Sequence, residues 1–435
     1  MTNFRKTPGS KCVRWMGALL LSATTCSFTL AKVPTSQPDS ANSPVAERLY
    51  PEGRSAFLPE HSTRGPHSVG VRTIKLVNPQ QLNLTTQQLQ DRALTIELWH
   101  PAPAHQNSSQ YDNVTRLGKP FSVHANAERN ASLLSPKDSD SRYPLVILSH
   151  GYTGYRTLMF YLAEHLASHG YLVAGIDHTD STNTDVTPDK AYAGFPSTLY
   201  HRSRDQLFVR DQLLNQNDFV ASAVDKNSVG LVGYSMGGYG LMASIGGCYD
   251  FSLAALRQMN PNGTDEEHLQ AQQLLNNCQQ PSTGNLWQGA IAMAPWGNQL
   301  GIFPADRLES ITTPTLTISG ELDDVSIHSS IVQMHQQLGS QDKYLLTYKN
   351  ARHNIAPHPA PLIAYQHEYD LGHYFEPAWS NQQINLINQH FALAMMDCHL
   401  KQKSSACDYL QLEGEVESGW KGFPQRFATG LSWQR

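Results

Sequence analysis

A chain of 435 residues with 40% hydrophobic and 16% charged residues has the apolar content for a sizeable core and too few charges for general disorder. Its formal net charge of −5 offers no basic footprint, which excludes nucleic acid and anionic lipid as principal partners. The length allows two or three domains, yet α/β chains of this size also form one domain with insertions, and no internal repeat is evident.

At the N-terminus, Arg5, Lys6, Lys11 and Arg14 precede the apolar run Trp15 to Leu21 and small residues ending Thr29-Leu30-Ala31. This is the pattern of a secretory signal peptide over residues 1–31, cleaved after Ala31. The run falls short of the ~20 residues of a bilayer span, so no stable membrane insertion is expected and the chain reads as exported, periplasmic or secreted. Lipidation at Cys26 is disfavoured by Thr24-Thr25, where small apolar residues are expected. Cleavage removes four basic residues and no acidic one, taking the charge from −5 to −9. It leaves Cys248, Cys278, Cys398 and Cys407. An even number in an oxidising compartment suggests two disulfides, and proximity favours Cys248–Cys278 and Cys398–Cys407 among three connectivities. No C-x-x-C pair is present, so a zinc site is not expected.

Residues 32–65 are rich in Pro, Ser and charge without periodicity and read as a flexible leader. Residues 66–435 read as the catalytic domain. Val69 to Val77 and Leu94 to Trp99 alternate apolar and polar residues, which predicts an antiparallel pair at a sheet edge. Ala104 to Arg142 is polar and reads as a long surface loop. Continuous apolar runs follow at Tyr143–Leu148, Tyr171–Ile176, Val229–Val232, Ala290–Met293, Thr315–Ile318 and Lys343–Tyr348, the mark of buried parallel strands. Helical stretches at Leu158–His169, Gln206–Val224, His328–Leu338 and Asn381–Met396 lie between or after them, so the class is α/β with a mostly parallel central sheet and helices on both faces. The segment 248–278 contains a helix-like stretch from Asp265 to Leu275. It reads either as a disulfide-closed cap over the site or as a stapled surface excursion.

Four stretches carry chemistry. Leu148-Ser149-His150-Gly151-Tyr152-Thr153-Gly154 is a glycine-containing turn after a buried strand. Its Tyr152 N–H, with the N–H of Met236, would form an oxyanion hole. Gly233-Tyr234-Ser235-Met236-Gly237 fits G-x-S-x-G between a strand and a helix, and makes Ser235 the candidate nucleophile. A serine hydroxyl is a poor nucleophile near neutral pH and needs a histidine base oriented by an acid. Thr315 to Gly320 runs into an acidic turn carrying Asp323, the preferred acid, and Asp324, the alternative. The run Lys343 to Tyr348 ends in a loop with His353, which completes the order Ser, Asp, His. Tyr152, Trp296 and Tyr234 are candidates for an aromatic acyl or aryl pocket, with buried packing the competing reading for Tyr234. Asp177-His178-Thr-Asp180 and His358, His367 and His373 match no metal-ligand spacing, so neither metal nor cofactor is expected.

These stretches resemble the α/β-hydrolase family, and within it the exported dienelactone-hydrolase-like and platelet-activating-factor-acetylhydrolase-like esterases. Ser149 to Arg156 through Leu166-Ala-Ser-His-Gly-Tyr-Leu-Val173 is similar to their oxyanion segment, and Gly-Tyr-Ser-Met-Gly-Gly to their elbow. Gly151-Tyr152-Thr153, Ser235 to Gly238 and Ala294-Pro295-Trp296 resemble bacterial cutinases and polyester hydrolases. The likeness covers roughly residues 66 to 400. Dienelactone hydrolases proper use cysteine where Ser235 stands. No carboxylate follows Ala290–Ala294 directly, and residues 248–278 and 355–380 exceed what compact cutinases carry. The resemblance implies a serine hydrolase of carboxylic esters, short-chain or aromatic, with a small-molecule or polymeric ester as its partner. A cutinase-like or lipase-like polyester hydrolase and a phospholipid acetylhydrolase-like enzyme are the alternatives. An inactive binding protein is the rival from another class, and the oligomeric state is left open.

Overall fold

Alternation and continuity of apolar residues separate the strands into two kinds. In the computed structural model, which describes residues 45–50, 58–104, 107–138, 141–279, 284–426 and 428–435, the strands are β1 (Ser68–Asn83), β2 (Gln88–Ala102), β3 (Ser109–Val114), β4 (Pro120–Ala125), β5 (Glu128–Arg129), β6 (Tyr143–Ser149), β7 (Leu172–Asp177), β8 (Val224–Tyr234), β9 (Gly289–Met293), β10 (Thr315–Gly320), β11 (Lys343–Tyr348), β12 (Gly414–Glu415) and β13 (Leu431–Gln434). The helices are α1 (Phe160–Ser168), α2 (Phe195–Asn215), α3 (Asp218–Ala221), α4 (Met236–Ser244), α5 (Leu253–Met259), α6 (Asp265–Leu275), α7 (Ala305–Glu309), α8 (His328–Gln337), α9 (Glu368–Leu371), α10 (Asn381–His399) and α11 (Ser404–Cys407). The signal-peptide reading of residues 1–31 lies outside the described residues.

Eleven strands form one sheet in the order β12-β13-β11-β10-β9-β8-β6-β7-β2-β1-β5. From β11 to β7 every pairing is parallel, and β2 pairs antiparallel with both β7 and β1, as the alternating edge hairpin requires. Successive residues of the parallel strands feed opposite faces. Val146, Leu148 and Val232 join the cluster under α1 and α10, while Leu145, Ile147 and Leu231 join the one under α2 and α4. Both faces are therefore covered, which is why these strands read as unbroken apolar runs.

β6 is the hinge of the topology, with β7 on one side of it and β8 on the other. Chains leaving β6 and β8 part in opposite directions and open a crevice at the carboxyl ends of those strands, where open α/β sheets bind ligands. Ser149 pairs with Gly233 across this boundary.

Three sequence expectations are corrected. The polar stretch 104–142 is not a free loop: β3 and β4 form a hairpin that buries Tyr111, Phe121 and Val123, and the Tyr111 hydroxyl donates to Glu164 Oε1 at 2.8 Å. The helix expected at 206–224 begins at Phe195, with Pro in its first turn, and Val224 already belongs to β8. The described parts of the 32–65 leader are docked: Glu47 bridges Val123, Leu49 is buried and the Tyr50 hydroxyl donates to Asn385 Oδ1 at 2.7 Å. Apolar side chains in that segment find core, which outweighs its loop-like composition.

Two readings were open for the segment 248–278. Both expected disulfides are present, and Cys248–Cys278 closes an insertion holding α5 and α6. That insertion packs on itself and on α2, and the Asp250 N–H donates to Ile302 O at 2.9 Å. It grows from the far end of α4, about 13 Å of helix from Ser235, and is a stapled flank.

Candidate active site

The strand-to-helix turn at β8–α4 exists because its neighbours lack side chains. A Cβ on Gly233 would lie 2.3 Å from Gly237 O, and one on Gly237 would lie 2.0 Å from Ser149 O. In that space Ser235 takes φ 52°, a left-handed conformation that a serine holds only when its surroundings impose it. The Ser235 N–H donates to Met293 O at 2.9 Å, and the Trp296 N–H donates to Ser235 O at 3.2 Å. Thr153, Ala294 and Ile327 also have positive φ, so the loops after β6, β8, β9 and β10 each carry one strained residue at this edge.

Ser235 Oγ lies 3.0 Å from His353 Nε2, and His353 Nδ1 lies 2.9 Å from Asp323 Oδ2 and 3.0 Å from Oδ1. The loops of the two partners are interlocked: the Leu322 N–H donates to Ala351 O at 2.8 Å, and a Cβ on Gly320 would lie 2.0 Å from Arg352 O. Asp323 Oδ1 also accepts from the N–H groups of Val325 at 2.9 Å and Ser326 at 2.8 Å. Burial pushes the Asp323 carboxyl up, but His353 and these two N–H donors hold it below its ordinary value. Asp324 instead faces solvent beside Arg352, 3.4 Å away.

The loop after β6 lies against the elbow. A Cβ on Gly151 would stand 3.1 Å from Ser235 Cβ. Among the described residues, neither the Tyr152 N–H nor the Met236 N–H is taken up by a protein acceptor, and Met236 opens α4, whose dipole favours negative charge there.

The three expected aromatics separate. Tyr152 and Trp296 are half-buried and bracket a residue the sequence reading missed: the Phe195 ring stands edge-on to Tyr152 at 5.3 Å and to Trp296 at 5.6 Å. Tyr234 is not a wall. It is 4% exposed, its ring packs 5.3 Å from His353, and its hydroxyl donates to His353 O and Asn354 Oδ1, both at 3.3 Å. Gly194-Phe195-Pro196 carried the missed signal, since a proline in a helix's first turn marks its start.

Most residues considered and rejected as metal ligands have partners, while His373 Nδ1 is buried without one among the described residues. Asp177 pairs with Arg156, Asp180 with Arg92 and His178 with Asp205, while His358 Nε2 is 2.6 Å from the Tyr155 hydroxyl. Among the described residues no group of three His, Cys, Asp or Glu is placed to hold a metal ion, and no helix is long and apolar enough to cross a membrane.

Comparison with known proteins agrees with this architecture. The platelet-activating factor acetylhydrolase, isoform II family matches residues 62–207, and the prolyl oligopeptidase family matches residues 159–373. A platelet-activating factor acetylhydrolase of Cavia porcellus is 28% identical over 128 residues, 27% of this chain and 28% of that protein. A cutinase of Thermobifida cellulosilytica is 30% identical over 219 residues, 48% of this chain and 61% of its own. A cutinase of Thermobifida alba is 27% identical over 249 residues, 54% of this chain and 64% of its own. The chain thus spans between about a quarter and two thirds of these curated relatives. The solved structure of a ferulic acid esterase from Streptomyces cinnamoneus superposes with a TM-score of 0.56 at 18% identity, covering 87% of this chain and all of the other; at that identity it speaks for the fold alone.

Proposed function

We propose that this chain, an α/β-hydrolase by fold, is an exported serine hydrolase of carboxylic esters. Ser235 Oγ attacks the ester carbonyl while His353 Nε2 accepts its proton, and Asp323 holds the imidazole in the tautomer that leaves Nε2 free. The Tyr152 and Met236 N–H groups receive the developing oxyanion. His353 then protonates the leaving alcohol, and water releases the acid from the acyl-enzyme by the same steps in reverse. The observation that carries this reading is the unbroken Ser235–His353–Asp323 hydrogen-bonded line, ending on a carboxylate with 0% side-chain exposure.

Rings on Tyr152, Phe195 and Trp296 favour flat or short acyl groups, since long chains lose rotamer freedom on binding. The expected kcat/KM optimum therefore lies at about two to six acyl carbons. A second reading, polyester hydrolysis, is supported by exposed apolar surface beside the site: Tyr192 is 64% exposed near Phe195, and Phe375, 48% exposed, adjoins Asn354 through its carbonyl.

The test is a fluorophosphonate serine probe with a graded p-nitrophenyl ester series, run beside a polyester film. Wild type should be labelled at Ser235, and Ser235→Ala should lose the label and on the order of 10⁴–10⁶ in kcat. Ester turnover that survives in Ser235→Ala would remove the nucleophile assignment. A long-chain optimum with activation at an oil–water interface would move the protein to the lipases.

A further inference from the structure

A second serine, histidine and aspartate stand in line beneath the oxyanion loop. Ser149 ends β6, His178 follows β7 and Asp205 lies in α2. Ser149 Oγ is 2.8 Å from His178 Nε2, and His178 Nδ1 is 3.0 Å from Asp205 Oδ2. All three are buried to 1% exposure or less, so no substrate reaches them.

The direction of each hydrogen bond follows from its partners. Gly237 O can only accept, so the Gln206 atom 2.9 Å away is Nε2, and the same nitrogen is 2.9 Å from Ser149 Oγ. Ser149 therefore accepts from Gln206 and gives its one proton to His178 Nε2, which leaves the Nδ1 proton for Asp205. The imidazole is neutral: burial first, and then the Arg202 charge, lower its pKa to about 3. Arg92 grips both Asp205 oxygens, each at 2.9 Å. Arg202, also buried, donates to His150 O at 2.8 Å and to Ser181 Oγ at 2.7 Å. The His178 backbone N–H donates to His150 Nε2 at 3.2 Å.

These bonds converge on the proposed oxyanion machinery. Ser149 and His150 lead directly into Gly151-Tyr152, and Gly237 follows Met236. Sheet pairing fixes Ser149 opposite Gly233 but stops there, because the strand ends, and the donors themselves lie beyond it. We propose that Ser149, His178, Asp205 and Gln206, with Arg202, form a positioning relay that clamps the oxyanion loop to the first turn of α4, so that the Tyr152 and Met236 N–H groups converge on one point. The proposal rests on the ester-hydrolase reading. His178 is a positioning residue that touches neither substrate nor nucleophile.

Loosening such a clamp displaces the Tyr152 and Met236 N–H groups and so degrades transition-state stabilisation, while of the substrate walls it reaches the Tyr152 ring and leaves the Trp296 ring alone. Ser149→Ala deletes one hydroxyl and is the mildest variant; His178→Gln breaks the line at its centre. Both are compared with wild type by p-nitrophenyl acetate kinetics, by inhibition with a trifluoromethyl ketone, which forms an anionic tetrahedral adduct on the serine, and by thermal unfolding. Each variant, assayed well below its melting temperature, should lose about 10- to 100-fold in kcat. KM should stay within about threefold, and the ketone should weaken by the same factor as kcat/KM. Wild-type kcat and ketone affinity in folded Ser149→Ala, whatever its melting temperature, overturn the proposal. So does a rise in KM at unchanged kcat, which would place the network behind a substrate wall. Failure of the ester-hydrolase reading shows separately, as wild type that neither turns over esters nor takes the fluorophosphonate label.

Discussion

Gly237→Ala sets two physical rules against each other. Gly237 is the second residue of α4, where alanine should be worth up to about 1 kcal/mol more than glycine by helix propensity. The packing opposes this. The new Cβ would lie 2.0 Å from Ser149 O and 3.0 Å from His150 O, so relief to an ordinary contact needs more than about 1 Å of separation between two backbones. Overpacking of this kind costs about 1–3 kcal/mol, which exceeds the propensity gain. The strain falls on the segment leading to Tyr152, and a misplacement of about 1 Å in catalytic geometry is worth about 10² in rate. The expected variant therefore melts below wild type, binds substrate with little change in KM and loses about 10²–10³ in kcat. Thermal unfolding and steady-state kinetics on p-nitrophenyl acetate read both quantities. An alanine variant as active as wild type and more heat-stable would refute the close approach of α4 to the oxyanion loop.

Three further outcomes are expected. Asp323→Asn should cost about 10⁴ in kcat by favouring the wrong imidazole tautomer, whereas Asp324→Asn, at a solvent-facing pair with Arg352, should stay within about twofold; kinetics that reverse this order reassign the acid. Glu164 is buried on α1, and that burial raises its pKa to about 7. Between the ordinary carboxyl value and about 7 the native state binds more protons than the unfolded chain, so stability falls as pH rises through that window. Glu164→Gln keeps an oxygen for Tyr111 and Asn126, which both donate to Oε1. It should raise the melting temperature at pH 8, by up to about 3 kcal/mol of stability, and less at pH 5; equal shifts at both pH values would exclude a buried carboxylate as the cause. Cys248→Ser should cost about 3–4 kcal/mol by the chain-entropy account of the closed loop, while kcat of the folded protein holds because the insertion flanks α2; urea titration beside kinetics separates the two.

The central sheet was legible because strands covered on both faces must be apolar throughout, and Val146 and Leu145 announce opposite faces by being neighbours. That Ser235, Asp323 and His353 would meet was legible because each follows such a run. What stayed hidden depends on partners distant in sequence. Tyr111 and Phe121 lie in a polar stretch, and distant partners give them a reason to be buried: Glu164 and Trp99 for Tyr111, Tyr155 and His358 for Phe121. His178 was weighed as a metal ligand, since nothing local in Asp177-His178-Thr-Asp180 points to Asp205 in a helix or to Ser149 in another strand. The start of α2 was missed because the stretch from Phe195 to Arg204 is too polar for an amphipathic pattern, and its burial comes from Asp205 and Arg202 serving other loops.

Reaction chemistry and substrate choice are held in this molecule by different means. The nucleophile, base and acid are locked by backbone contacts that tolerate no added atom and by bonds to buried charge. The side chains of Phe195 and Trp296 meet each other ring edge to ring face, on the first turn of one helix and on a loop whose backbone N–H donates to Ser235 O. Such ring contacts can be re-cut one residue at a time without reaching the locked part. If the proposed activity holds, descendants, natural or engineered, would wander among esters while inheriting a fixed way of breaking them.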